Sequence, residues 1–264
     1  MDLEMPKALA ERFTNPAQKA RSVSEAWGKE NLFCPNCSSA RLESTRQGFK
    51  AVDYFCPGCS SAFQLKSKSS NFGNRVVDGQ YDTFINALES DQSPNLFLLQ
   101  YSRLDWTVLN LLLIPNFAIP PSAIEKRKPL GPTARRAGWI GCFILLGEIP
   151  VEARIPVVSN GCSASPSKVR EAFGKVKPFR DLTFAQRGWT LDVLKVVHAL
   201  SKRHFTNQDI YAFSNDLAKR HPQNKHVRDK IRQQLQFLRD KGFLAQTREG
   251  VWNVSSDFTR ETVV

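Results

Sequence analysis

Six cysteines occur in the chain, and four of them form two pairs, Cys34-Pro35-Asn36-Cys37 and Cys56-Pro57-Gly58-Cys59, with 18 residues between the pairs. Two residues between ligands let one tight turn present both thiolates to a single tetrahedral ion. A doubled pair at this interval has the spacing of a four-cysteine structural zinc site. A redox dithiol, or two unrelated pairs, is the competing reading. The turn residues inside both pairs favour Zn2+ on Cys34, Cys37, Cys56 and Cys59. Four thiolates leave the ion no open position, so such a zinc would staple the fold rather than catalyse. Cys142 and Cys162 have no such company and read as ordinary small residues.

A second constellation overlaps the second cysteine pair. Asp53 precedes it, and Gln64-Leu65-Lys66 follows it. On a strand, residues 64 and 66 project to one face, so a carboxylate on one strand would meet a second oxygen donor and a lysine on its neighbour. Asp53 and Gln64 could hold Mg2+ against a scissile phosphate, and Lys66 could orient the attacking water and offset developing charge. Glu25, on a helix upstream, is a further candidate acid. The pattern D-x10-x-x-K has the shape of a PD-(D/E)xK nuclease core, with Val52 in place of proline and Gln64 in place of the second acid. The spacing is loose, and a solvated Asp53 with a surface LKSK run explains it as readily. A neutral amide at 64 also removes one negative charge, which predicts weaker metal binding and slow or absent cleavage.

The elements that must position these groups are legible in outline. Residues 16–31 predict an amphipathic helix, with Ala20, Val23 and Trp27 at helical spacing. Residues 78–90 suggest a second helix. LFLLQY (96–101) and VLNLLLI (108–114) are short apolar runs of the kind that form buried strands. A basic loop punctuated by Gly and Pro, 125–141, precedes a strand-like VVSN and a helix SKVREAFGKV. The pattern changes near 180–188. Helices are expected over 189–200, over 208–220 after an N-cap at Phe205-Thr206-Asn207, and over 225–241 up to Gly242. A hairpin, FLAQT and VWNV, would follow. Three helices and a hairpin in about 70 residues is the winged form of the helix-turn-helix.

Composition narrows the class. The formal net charge is +12 and the pI about 9.6, which favours a polyanionic partner. Residues 187–264 carry 14 Lys and Arg against 8 Asp and Glu, the densest positive charge in the chain. Hydrophobic residues at 41% allow a packed core. The opening stretch has no apolar signal region and no run approaches a membrane span, so no membrane association is expected. A zinc-dependent deaminase is disfavoured, because the cysteine site is saturated and no H-x-E element accompanies it.

The chain closely resembles the DpnI-like methyl-directed type II (type IIM) restriction endonucleases. The resemblance is carried by QKAR…SEAW (18–27), CPNC (34–37), the Asp53–Cys59 segment, F-x-L-K-S-K (63–68), RKPLGPTARRAGWIGC (127–142), RGWT (187–190) and KIRQQLQFLRDK (230–241). It implies an α+β fold: a PD-(D/E)xK catalytic domain (1–182) with a mixed sheet and an inserted four-cysteine zinc site, then a winged-helix domain (183–264). It implies a Mg2+-dependent deoxyribonuclease of the prokaryotic cytoplasm acting on double-stranded DNA that carries N6-methyladenine in GATC. Asp53 and Lys66 keep their family roles, whereas Gln64 stands where the family has Glu. Trp139 would stack on or wedge between bases, with Arg135 and Arg136 on nearby phosphates; a buried core tryptophan is the alternative. Asn224, Lys225, His226 and Arg228 would lead the third C-terminal helix into the major groove. A monomer is expected, since no coiled-coil or dimer element is visible. The rival functions are a methyl-DNA reader whose nuclease site has lapsed at Gln64, and a zinc-ribbon regulator with a winged helix.

Overall fold

A computed structural model describes residues 1–45 and 51–255. Asn15 opens the first helix, α1 (Pro16–Asn31), by accepting from the Ala17 and Gln18 amides. Pro16 occupies the first turn, where a missing N–H costs nothing. The strands β1 (Glu43–Ser44), β2 (Tyr54–Phe55), β3 (Ala62–Lys68) and β4 (Arg75–Gln80) follow, then α2 (Tyr81–Glu89), β5 (Asn95–Tyr101) and β6 (Val108–Ile114). Next come β7 (Ile124–Lys126), β8 (Gly141–Leu145), β9 (Ile155–Ser159), β10 (Cys162–Ser163) and α3 (Pro166–Val176).

Seven strands form one mixed sheet in the order β1-β2-β3-β5-β6-β9-β10. Strands β3 and β5 pair in parallel, aligning Gln64 with Leu96 and Lys66 with Leu98. Residues 95–99 of β5 are all buried, which is why that strand reads as an unbroken apolar run rather than an alternating one. A second, antiparallel sheet has the order β4-β8-β7. Helix α1 lies on β3 and is fastened at three points, to β3, to β2 and to the N-terminal segment. The Ser24 and Ser67 hydroxyls meet at 2.9 Å. The Tyr54 hydroxyl donates to the Glu25 carbonyl at 2.8 Å. The buried Trp27 donates through Nε1 to the Asp2 carbonyl at 2.9 Å. Gly28 makes the close approach possible, because a Cβ there would lie 2.4 Å from the Tyr54 hydroxyl.

The C-terminal part comprises α4 (Phe184–Ala199), β11 (His204–Thr206), α5 (Asn207–Tyr211), α6 (Ser214–Arg220), α7 (Val227–Asp240), β12 (Leu244–Arg248) and β13 (Val251–Val254). Its three strands form a small sheet in the order β11-β13-β12, the winged-helix arrangement. Ile231, Leu235 and Leu238 of α7 are buried, and Gly242 ends the helix at φ +79°, a conformation that glycine adopts without strain.

Three helix boundaries differ from the expectation. Residues 75–80 are strand, since Val76 faces the core and Arg75–Gln80 pairs with β8, so α2 starts at Tyr81. The expected helix over 208–220 is two helices separated at Ala212–Phe213; there the Ser214 hydroxyl donates to the Tyr211 carbonyl at 2.7 Å, a local bond that competes with helix continuation. Helix α4 begins at Phe184, because Thr183 and Gln186 form a reciprocal capping box.

Candidate active site, metal centre and nucleic-acid interface

Asp53 sits at the entry to β2, where its amide donates to the Phe63 carbonyl at 2.9 Å. Its Oδ2 accepts from the Leu65 amide at 2.8 Å, which places the carboxylate beside the Gln64–Lys66 segment of the neighbouring strand. Phe63, Leu65 and Ser67 point toward α1, as the Ser24–Ser67 contact fixes, so Gln64 and Lys66 share the opposite face. Burial pushes the Asp53 carboxyl above the ordinary carboxylate range, and the Glu25 carboxylate adds to this. The Leu65 amide and the Arg21 and Lys66 charges oppose it. Glu25 is itself held by Arg21 in an i,i+4 ion pair of 2.6 Å on α1. Burial likewise pushes the Tyr54 phenol up, so it remains a protonated donor. The Asp53 carboxylate therefore feels the charges of Lys66, Arg21 and Glu25, and β3 carries Gln64 on the same face as Lys66. Asp53 and Gln64 offer oxygen donors, a carboxylate and an amide, of the kind that suits a hard divalent cation.

Lys66 has a partner that the motif did not contain. Its Nζ lies 3.2 Å from Asp78 Oδ1 on β4, and both side chains are largely buried.

The four cysteines of the two turns converge. Their sulfurs all lie within 4.8 Å of one another, with Cys34 to Cys59 at 3.6 Å and Cys37 to Cys56 at 3.4 Å. Edges near 3.8 Å are what a tetrahedron of about 2.3 Å Zn–S bonds requires, so the set fits zinc. Ser39 brings the Cys37 thiol down to about 6 by hydrogen bonding. Burial pushes the Cys34 thiol up. From α3, Arg170 Nε donates to the Cys34 and Cys37 carbonyls at 3.0 and 2.8 Å, and Nη2 donates to the Ser39 carbonyl at 3.0 Å. Lys177 Nζ donates to the Asn36 carbonyl at 3.2 Å. The first cysteine turn is thus held from outside by two cations.

The basic loop is an extension of the β7–β8 hairpin, closed by Arg127 N to Gly141 O at 3.0 Å and Leu130 N to Trp139 O at 2.9 Å. Arg135 and Arg136 near its tip are exposed. Trp139 is half-buried; it packs against Gly141, and the Arg136 guanidinium lies 5.2 Å over its ring. Its Nε1 is buried and has no hydrogen-bond partner among the described residues. In the winged helix, the Asn224 side chain accepts from the His226 amide at 2.7 Å just ahead of α7. Lys225, His226 and Arg228 lie at that end, and Arg228 is 5.2 Å over the Tyr211 ring.

A family model described as DpnI, the Dam-replacing family, matches residues 1–182, and one described as the Dam-replacing HTH domain matches residues 185–253. The chain belongs to the DpnI, Dam-replacing family. The family match identifies it, at that level, with the methyl-directed DNA restriction enzymes, and the winged helix points to DNA as partner. No described helix is long and apolar enough to cross a membrane.

As a Dam-replacing family member the chain carries functional candidates that sequence reasoning missed. Asp78 had a visible signal: it shares a strand face with the core residue Val76, so an inward carboxylate was implied once 75–80 was read as a strand. Arg170 and Lys177 had none, because their targets are backbone carbonyls more than 130 residues away in sequence.

Proposed function

We propose that this chain is a methylation-dependent endonuclease that binds double-stranded DNA containing N6-methyladenine in GATC and hydrolyses its phosphodiester backbone with Mg2+. The observation that carries this reading is the seating of the Asp53 carboxylate on the Leu65 amide, between Gln64 and Lys66. Asp53 and Gln64 would hold Mg2+, which when bound supplies Lewis-acid activation of the phosphate. Lys66 orients the attacking water and offsets charge on the phosphorane-like transition state. Arg135 and Arg136 contact phosphates, and Asn224, Lys225, His226 and Arg228 stand at the leading end of α7, which enters the major groove. Trp139 contacts the bases from the catalytic part. The division of the chain into a catalytic domain over 1–182 and a reader over 183–264 belongs to the same proposal, as does a monomeric state and a prokaryotic, cytoplasmic setting.

Gln64 supports a second reading, a methyl-DNA reader with an impaired site, since one ligand position lacks charge. Two plasmids, one adenine-methylated at GATC and one not, separate the readings when incubated in Mg2+ beside a binding assay in Ca2+. Cutting confined to the methylated plasmid supports the enzyme. Selective binding without cutting supports the reader, and restoration of cutting by Gln64→Glu then assigns the defect to position 64. Absence of both binding and cutting overturns the proposal.

A further inference from the structure

Lys66 and Asp78 join the two sheets at the point where the candidate active site lies. Lys66 projects from β3 of the large sheet, and Asp78 comes from β4 of the small one, with side chains 18% and 7% exposed. Asp78 sits beside a register shift between Asp78 and Gln80 where β4 pairs with β8. Asp78 is still in regular alternation with Val76, and the bulge falls after it, at Gly79, a feature common next to active sites. Its Oδ1 receives the Gly79 amide at 2.6 Å as well as Lys66. Its Oδ2 is buried with no hydrogen-bond partner among the described residues. The register neighbour, Cys142, does not satisfy it: burial keeps that thiol protonated, and its one hydrogen goes to the Gly79 carbonyl at 3.6 Å.

A half-satisfied buried carboxylate is a poor structural brace. Unpaired buried oxygens are costly, and buried ion pairs are often replaceable by apolar groups without loss of stability. What the pair does achieve is to confine a lysine ammonium on a flexible four-carbon stem. We propose that Asp78 is the positioning residue of Lys66, holding its ammonium over the strand face shared with Gln64 so that it meets the scissile phosphate. This rests on the nuclease reading above for its catalytic consequence, but the positioning itself does not.

The test uses the full chain with Asp78→Asn, Lys66→Ala and the double variant, in the natural and the Gln64→Glu backgrounds. Single-turnover cleavage of methylated DNA should slow by about 10- to 100-fold in Asp78→Asn. DNA affinity in Ca2+ should stay within about twofold, with melting unchanged or raised. The double variant should be no slower than Lys66→Ala, because effects that run through one group do not add. Additive losses, an unchanged rate, or a fall in melting that accompanies the rate loss would overturn the assignment. Acylation of Lys66 by an amine-reactive ester, followed by peptide mass spectrometry, reads the positioning without cleavage: Asp78→Asn should label Lys66 several-fold faster. Equal labelling overturns the inference. Faster labelling in a protein that cuts in neither background keeps it, while the nuclease reading fails.

Discussion

Arg170→Ala should loosen the cysteine cluster from a distance. The guanidinium makes three contacts with the first cysteine turn, but the Nε hydrogen is shared between the Cys34 and Cys37 carbonyls, so they amount to little more than two bonds. It also lies 5.4 Å over the Phe33 ring. Hydrogen bonds from a charged donor contribute about 1.5–3 kcal/mol each when buried, and an exposed cation–π contact about 0.5–1 kcal/mol. Arg170 is only partly buried, and the freed carbonyls would be resolvated, so the total falls below the lower-end sum of about 3.5 kcal/mol, to about 2–3 kcal/mol. For a fold of this size each kcal/mol moves the midpoint by about 2–4 °C, so Tm should drop by about 5–10 °C. Zinc should also leave faster to a chromogenic chelator, with four thiolates still present. Arg170→Lys should recover only part of the loss, since a point charge cannot serve carbonyls on both sides of the turn. A variant that melts within about 1 °C of the parent and releases zinc at the parental rate would refute the clamp.

The remaining predictions concern the ion, the carboxylate and the reader. Cys56→Ser should lose bound zinc, measured by elemental analysis, and lower Tm; full zinc content with parental melting would remove the structural assignment. Burial raises the Asp53 carboxyl in the fold, so its contribution to stability is present below the unfolded value of about 4 and is lost as pH rises through the folded one. Asp53→Asn should therefore raise Tm of the metal-free protein near neutral pH, with the gain vanishing toward acid, and should abolish Ca2+-induced stabilisation. In the parent, Ca2+ affinity should fall off at a pH above the ordinary Asp range, by isothermal titration calorimetry. Arg228→Ala should weaken methylated-duplex binding by about 1 kcal/mol and flatten its salt dependence by about one phosphate contact, by fluorescence anisotropy; unchanged affinity would mean that α7 does not present this end to DNA.

The parts of the fold that follow local rules were legible, and those fixed by distant partners were not. Helix α1 is announced by an Asn-Pro start and a core stripe through Val23 and Trp27, and it runs over the expected residues. Strands β5 and β6 are announced by apolar runs too short for helices. The cysteine cluster is legible because ligand spacing encodes the geometry of the ion. The start of the expected 78–90 helix misleads, since residues 78–80 belong to a strand that forms because β8 offers it a partner. The sequence leaves Trp139 between a base contact and a core position, and the residue occupies neither extreme: it lies folded on its own hairpin under Arg136. Sequence spacing could place Asp53 near Lys66, but not Asp78, because the β4–β3 approach is a contact between two sheets that no local pattern encodes.

Helix α4 shows how the C-terminal part is fixed to the rest. Arg187 through Leu194 are all buried, so the helix is covered on every side and not along one stripe. Arg187 pairs with Asp91 at 2.6 Å and donates to the Leu88 carbonyl on one side, while Thr190 donates to Gln234 of α7 at 2.6 Å on the other. Asp192 lies at the centre, 2% exposed, and accepts from Ser122 at 2.6 Å, Arg220 at 3.3 Å and His221 at 2.8 Å. Ser122 lies within the segment matched by the first family model, and Arg220 and His221 within that matched by the second. His221 also stacks on Trp189 with centroids 4.0 Å apart. An apolar junction could slide, whereas a buried carboxylate with three directional donors has one favourable arrangement. The hub therefore holds α4 and the end of α6 against the Ser122 segment in one arrangement.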